Sequence, residues 1–342
     1  MKKKILVTGG TGYIGSHTTV ELIEKGFDVV IIDNLYNSEA EVVDRITKIT
    51  GIKPVLEIFD LCDQEKLEMF FSKNNDIAAI IHFAAYKAVG ESVNKPLEYY
   101  RNNLLSLVNL LDAMKRHKIP NLVFSSSCTV YGQPEKLPVT ENAPLQPATS
   151  PYGNTKQVGE AIIRDTTYPD KNIKAISLRY FNPIGAHPSA LIGELPRGVP
   201  ENLVPYITQT AYGLRDELKV FGDDYNTPDG SCIRDYLHVV DLAKAHVVAV
   251  MRLLEARNKT NFEVFNLGTG IGVSVLEAIK SFERISGIKL KYKITGRRAG
   301  DIEKIWADPS FANKELGWKT LSSLDEAMKT AWDWEKFIRS KN

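Results

Sequence analysis

The sequence predicts an α/β protein: a doubly wound parallel sheet followed by a smaller, mixed α/β lobe towards the C-terminus. Three observations carry this. Strand-like and helix-like segments alternate through the first half, the pattern of a parallel sheet with helices on both faces. The first apolar run leads directly into Gly9-Gly-Thr-Gly12-Tyr-Ile-Gly15, a glycine turn that opens a helix. Beyond Phe181 the texture changes, and Pro183, Pro188, Pro196, Pro200 and Pro205 punctuate a loop-rich stretch. The expected division is a dinucleotide-binding domain over 1–181 and a second lobe over 182–342, discontinuous, with segments able to return to the first.

Taken in order, the aliphatic residues Ile5 to Val7 predict a buried strand over 4–8, and the helix after the turn, near 13–25, is stopped by Gly26. A second strand over 28–32 ends in Asp33. Strands over 54–59, 79–83, 121–126 and 174–179 alternate with helices near 38–50, 64–73, 96–117 and 152–167, and Pro120 stops the longest helix. In the second lobe a helix over 200–212 precedes short strands over 218–221, 236–239 and 262–267, with helices near 240–255, 274–286 and 323–338.

The glycine turn has a chemical reading. Glycine lets the backbone approach a pyrophosphate where a side chain would block it, and the free N–H groups of a helix N-terminus supply positive potential. Asp33 ends the next strand about 20 residues on, where a carboxylate holds adenosine ribose hydroxyls in a Rossmann unit. No Arg or Lys follows Asp33 until Arg45, and a carboxylate there repels a 2′-phosphate, so NAD is favoured over NADP.

The bulk composition excludes several classes. The chain has 342 residues, 43% hydrophobic and 25% charged, with a formal net charge of +1 and both signs spread throughout, so no basic stripe points to nucleic acid. No stretch approaches a membrane span. The apolar run behind Lys2–Lys4 breaks at Thr8-Gly9-Gly10, too early for a signal peptide. Cys62, Cys128 and Cys232 form neither a close pair nor a metal-ligand spacing, and free thiols in a reducing cytoplasm are expected, with no bound metal.

Tyr152-Gly-Asn-Thr-Lys156 is the second chemical signal. At i and i+4 the two side chains share one helix face. A cation beside a phenol favours phenolate and lowers its pKa towards neutrality, which makes Tyr152 a usable base for an alcohol proton. The strand over 121–126 runs into Ser125-Ser-Ser127, and a hydroxyl at a strand's carboxyl end can bond a substrate oxygen beside that base. Ser127, the last of the three, is the favoured one.

Together the glycine turn, Ser127, and Tyr152 with Lys156 resemble the extended short-chain dehydrogenase/reductase family acting on nucleotide sugars. Further segments narrow the resemblance to the UDP-hexose 4-epimerases: Phe83-Ala-Ala-Tyr-Lys87, Tyr99-Tyr-Arg-Asn-Asn103, Arg179-Tyr-Phe-Asn182-Pro, Arg234-Asp-Tyr-Leu-His-Val-Val-Asp241 and Gly296-Arg-Arg298-Ala-Gly-Asp301. The resemblance implies interconversion of UDP-galactose and UDP-glucose through a 4-keto sugar, with NAD resident and Tyr152, Lys156 and Ser127 catalytic. It assigns Gly9, Gly12, Tyr13, Ile14, Gly15, Asp33, Asn34, Asp60, Leu61, Phe83, Ala84, Lys87, Asn102 and Tyr180 to the cofactor, along with Tyr152 and Lys156. It assigns Asn182, Asn202, Leu203, Phe221, Arg234, Arg298, Asp301 and Ile305 to the UDP-sugar, with Lys87, Ser127 and Tyr152 also reaching it. Two arginines suit a diphosphate, Phe221 offers a face to uracil, and Asp301 accepts from ribose hydroxyls.

The same resemblance sets out the alternatives. A 4,6-dehydratase of this family carries an Asp-Glu pair where this chain has Cys128 and Thr129, which cannot expel water at neutral pH. Epimerisation of another nucleotide sugar stays open, as does a non-catalytic NAD-binding regulator, although a regulator has no use for Ser127, Tyr152 and Lys156 together. Ile305 stands where the family carries either a bulky Tyr or a small residue, and its intermediate volume implies some tolerance of UDP-GlcNAc and UDP-GalNAc. A homodimer is implied through helices bearing Asn103–Lys115 and Tyr152–Asp165. Leu104, Leu105, Leu107, Val108, Leu110 and Leu111 nearly surround the first of these, which suits burial on more than one side.

Overall fold

The computed structural model describes residues 2–298 and 301–340. Its first half follows the expected alternation: β1 (Lys4–Thr8), α1 (Tyr13–Glu24), β2 (Asp28–Asp33), α2 (Val42–Thr50), β3 (Val55–Ile58), α3 (Gln64–Lys73), β4 (Ile77–His82), α4 (Val89–Asn94), α5 (Pro96–Arg116), β5 (Asn121–Ser127), α6 (Pro151–Thr167) and β6 (Lys174–Tyr180). The remainder comprises β7 (Asn182–Ile184), α7 (Leu203–Tyr212), β8 (Leu218–Phe221), β9 (Ile233–Arg234), β10 (Tyr236–His238), α8 (Val239–Leu254), β11 (Phe262–Leu267), β12 (Val273–Ser274), α9 (Val275–Ser286), β13 (Tyr292–Thr295), α10 (Ser310–Leu316) and α11 (Leu324–Arg339).

Seven strands form one parallel sheet in the order β11-β6-β5-β4-β1-β2-β3. The order reverses at β1, which pairs with β2 on one side and β4 on the other, Thr8 lying beside Ile32 and His82. That reversal opens a crevice at the carboxyl ends of β1 and β4, the place where such sheets take ligands. Every strand residue from Ile5 to Thr8 and from Val29 to Asp33 is buried, as a sheet covered on both faces requires.

Two compact units divide the chain: 1–132, 145–179 and 243–265 in the first, and 133–144, 180–242 and 266–342 in the second. In the first unit Leu6, Ile32, Ile80, Leu122 and Phe124 of the sheet pack with Phe71 of α3 and Leu107, Leu110 and Met114 of α5. Each such side chain contributes about 1.5–3 kcal/mol on leaving water. The second unit has its own core of Ile207, Leu218, Val220, Phe282 and Met328. Its helices α9 and α11 each begin with a capping box, Ser274 with Glu277 and Ser323 with Glu326, which satisfies N–H groups that the helix leaves unpaired.

Several boundaries differ from the sequence expectation. The helix expected near 38–50 starts at Val42, and α4 is a separate helix ahead of α5, whose first residue is Pro96. Proline's fixed φ and missing N–H explain the break. The segment over 262–267, expected as a lobe strand, is the outermost strand of the main sheet beside β6. The strands β7, β9 and β12, each two or three residues long, were not expected. They are shorter than one readable period of a strand pattern.

Candidate active site

β1 stops at Thr8 because Gly9 takes a positive φ of 72°, and its N–H donates to Ile32 C=O at 2.7 Å. A Cβ at Gly9 would fall 2.8 Å from Ala84 N, so the turn touches the chain leaving β4 and brings Phe83 and Ala84 to it. A Cβ at Gly15 would fall 2.2 Å from Gly9 C=O, which fixes glycine there. Gly12 caps α1 without a side-chain bond and no acid occupies the first turn, leaving Tyr13 and Ile14 at an uncapped, positive helix end.

Asp33 ends β2 with its carboxylate turned to this loop, accepting from Thr11 N at 3.2 Å, Leu35 N at 2.9 Å and Ser38 Oγ at 3.1 Å. Asn34 Nδ2 donates to Asp60 Oδ2 at 2.9 Å, and Asp60 Oδ1 accepts from Cys62 N beside the buried Leu61. Lys87 Nζ lies 5.8 Å over the Tyr13 ring, and the Phe83 ring rests 4.6 Å from His246. Asn102 donates to Asn103 Oδ1. Asn103, which the sequence reading passed over, bonds Tyr86 N and C=O and reaches Thr155 Oγ1 on α6 at 3.1 Å. It ties the Phe83–Lys87 segment to the helix that carries Tyr152 and Lys156. Tyr180 is buried at the end of β6.

α6 starts at Pro151 behind an N-cap, Ser150, whose hydroxyl accepts from Gly153 N at 3.1 Å. β5 ends in Ser127, whose Oγ accepts from Thr129 N at 3.2 Å and caps a short 3-10 turn over Cys128–Tyr131. A Cβ at Gly153 would already touch Thr129 at 3.4 Å, so the helix start packs closely on that turn. Tyr152, Lys156 and Ser127 are all buried. Lys156 Nζ donates to Ser125 C=O at 2.6 Å and lies 5.0 Å over the Phe124 ring and 5.8 Å from the Tyr152 ring. Burial pushes the Lys156 ammonium down to about 8, with Glu160 opposing the shift. Behind it, burial together with the Lys156 charge holds the His82 imidazole at about 3, so it stays neutral, bonded to Thr8 Oγ1 at 2.8 Å.

A buried charged layer underlies these groups. Glu160, one turn past Lys156, accepts from Ser126 Oγ at 2.6 Å, Ser177 Oγ at 2.8 Å and both Nε and Nη2 of Arg179 at 2.9 and 2.6 Å. Arg179 also donates to Tyr131 Oη at 2.9 Å. The three serines of β5 thus diverge: Ser125 gives its carbonyl to Lys156, Ser126 turns to Glu160, and Ser127 stands at the strand end.

In the second unit the structure gathers Phe221, Arg234, Arg298 and Asp301. The Arg298 guanidinium lies 5.4 Å over the Phe221 ring and bonds Asp301 at 2.7 Å, and Arg234 Nη2 is 3.9 Å from the same carboxylate. Burial works against the Arg298 charge, but Asp301, with Glu201 adding its field, raises the guanidinium pKa. Ile305 is buried and donates its N–H to Ile233 C=O at 3.1 Å. Asn182 opens β7, and its buried Oδ1 meets no donor among the described residues. Asn202 caps α7 ahead of Leu203, its Nδ2 bonded to Glu194 at 2.7 Å instead of to the helix. Ala299 and Gly300, between Arg298 and Asp301, lie outside the described residues.

A doubly wound sheet with a glycine-turn crevice and a buried Tyr–Lys pair defines the class: extended short-chain dehydrogenases/reductases of the NAD-dependent epimerase/dehydratase type. Residues 6–331 match the family model described as GDP-mannose 4,6 dehydratase. A UDP-glucose 4-epimerase of Bacillus subtilis is 50% identical over 331 residues, 97% of this chain and 96% of the relative. The human UDP-glucose 4-epimerase is 49% identical over 342 residues, 98% and 97% of the two chains. The crystal structure of UDP-glucose 4-epimerase from Bifidobacterium longum in complex with NAD+ and UDP superposes with a TM-score of 0.95 at 47% identity, covering 99% of this chain and 100% of the other. The chain belongs to the UDP-glucose 4-epimerase family.

Proposed function

We propose that this protein is a 4-epimerase that interconverts UDP-galactose and UDP-glucose with a resident NAD. The first unit fits the dinucleotide: the Gly9–Gly15 turn and uncapped α1 suit its pyrophosphate, Asp33 a ribose, and Asp60 and Leu61 the adenine side. When bound, NAD supplies reversible oxidation of the sugar C4 alcohol to a ketone. Tyr152 Oη takes the O4 proton as the ketone forms and returns it on reduction. Ser127 Oγ bonds O4 beside it, while the Lys156 ammonium stabilises negative charge on the phenol and holds nicotinamide ribose hydroxyls. Arg234, Arg298, Asp301, Phe221, Asn182 and Asn202 of the second unit suit UDP. Anchoring by UDP leaves the sugar free to turn and present its other face. The orphaned Asn182 Oδ1 supports a ligand with donors there.

The observation that carries this reading is the buried Tyr152–Lys156 pair on one face of α6, with Lys156 pinned to Ser125 beside the Ser127 strand end. The test is UDP-galactose given to purified protein without added NAD, with product followed by chromatography and NADH by absorbance. Conversion to UDP-glucose with no net NADH is expected, and Tyr152→Phe should lower kcat by about 10²–10⁴-fold with NAD retained. No conversion even with NAD supplied would overturn the assignment.

A homodimer is part of the proposal, since α5 exposes Leu97, Leu105 and Val108 while burying Leu107, Leu110 and Leu111. Light scattering at the mass of one chain would remove it. Three free cysteines suit a cytoplasmic location; no helix among the described residues is long and apolar enough to cross a membrane.

A further inference from the structure

Asp235, between Arg234 and β10, is fully buried, and four uncharged donors converge on its carboxylate. Thr269 N and Oγ1 reach Oδ1 at 2.8 and 2.7 Å, and Gly270 N and Ala307 N reach Oδ2 at 3.2 and 3.1 Å. The fit is close: a Cβ at Gly268 would fall 2.3 Å from Oδ2. The Asp235 main chain is engaged as well, its C=O accepting from Asn182 N at 3.0 Å. Just before it, Ile233 exchanges backbone bonds with Glu303 and Ile305, at 2.9 and 3.1 Å.

One residue therefore joins three stretches of chain: β7 at Asn182, β9 at Arg234, and the 301–307 segment with Asp301 and Ile305. Each carries groups read above as holding UDP or its sugar. Only an ionised carboxylate accepts from all four donors. An amide turns an N–H towards donors, and an apolar side chain leaves them unmet. Asp235 itself is enclosed by protein, so its effect on a ligand is indirect.

We propose that Asp235 is a positioning residue that sets the spacing of Asn182, Arg234 and the 301–307 segment and thereby the affinity of this unit for a nucleoside diphosphate. The proposal rests on the reading of the second unit as the UDP site. Burial holds the Asp235 carboxyl above the usual carboxylate range, and the bonds from Thr269, Ala307 and Gly270 oppose that rise.

The test is calorimetric titration of UDP into the purified holoenzyme, with kcat, KM and bound NAD measured alongside. Asp235→Asn is expected to weaken UDP by about 10-fold, the scale of losing a hydrogen bond to a charged group. KM for UDP-galactose should rise with it, while kcat changes little and NAD content stays constant. Thr269→Val, which removes only the Oγ1 bond, should weaken UDP by about threefold and decides the matter alone if Asp235→Asn does not fold. UDP affinity equal to the unaltered protein's in a folded variant, or a fall in kcat at constant KM, overturns the proposal. An unaltered protein that does not bind UDP overturns the functional reading, and this inference with it.

Discussion

Glu160 in the first unit and Asp235 in the second are both carboxylates held out of water, and their surroundings differ in kind. Glu160 faces a bidentate guanidinium and two hydroxyls, so its charge is cancelled by Arg179 and its bonds run between side chains of α6, β5 and β6. Asp235 is held by four uncharged donors, three of them backbone N–H groups. An ion pair locks elements that secondary structure has already built, here beneath Lys156 and Ser127. A ring of backbone donors locks irregular chain, which has few ladder bonds of its own and must be held residue by residue.

The largest expected contrast comes from removing the counterion. Arg179→Met leaves Glu160 buried and unpaired and should destabilise the protein by about 3–5 kcal/mol in denaturant unfolding. A loss under 1 kcal/mol would show that the serines alone suffice. The matching change in the other unit, Thr269→Val, leaves three donors on Asp235 and should cost about 1–2 kcal/mol in the same measurement. Equal losses would erase the distinction between the two environments.

A pH profile sharpens the comparison, since only the first cluster touches Lys156, the lysine proposed to assist Tyr152. The groups facing Lys156 are Tyr152 and Glu160 on α6 and the neutral His82 on β4, with Arg179 and Tyr131 behind Glu160. Lys156 is lowered from 10.5 to about 8, so its ammonium is present below that pH, and kcat/KM should fall as pH rises through about 8. The same lowered value means folding disfavours the ammonium. The stability cost of charging Lys156 is therefore relieved as pH rises from about 8 to 10.5, so its deprotonation does not itself drive unfolding. Glu160→Gln removes the group that opposes the shift and should move the limb to lower pH. Asp235→Asn should leave it in place. A limb that follows Asp235 and not Glu160 would reverse the assignment.

The smallest effect is expected at Ile305, whose N–H donates to Ile233 C=O two residues before Ala307 bonds the Asp235 carboxylate. Ile305→Ala should raise the UDP-GalNAc to UDP-galactose rate ratio by about 10-fold, the scale of a few methylenes of space. No turnover of UDP-GalNAc by the unaltered protein at any enzyme concentration would remove the tolerance read from isoleucine.

Much of the first unit was legible because its signals are local. A glycine turn, an acid at the next strand end and a Tyr–Lys pair at helical spacing each lie within a few residues. That the first six strands form a parallel sheet follows from their alternation with helices. Glu160 was within reach too, since it continues the face of α6 that carries Tyr152 and Lys156. Asp235 lies in the Arg234–Asp241 segment that carries part of the resemblance, but nothing local marks its role: its donors come from residues 269, 270 and 307, which no sequence period connects to it.

By itself, then, the sequence determined the sheet, the dinucleotide crevice and the chemical identity of Ser127, Tyr152 and Lys156, because backbone sterics and hydrophobic periodicity act over short distances along the chain. Tertiary structure alone decided that residues 262–267 complete the main sheet, which of the three serines turns to Glu160, and that Asp235 gathers the segments around Arg234. Those outcomes depend on which distant donors meet a buried acceptor once water is gone, and only the folded chain brings them together.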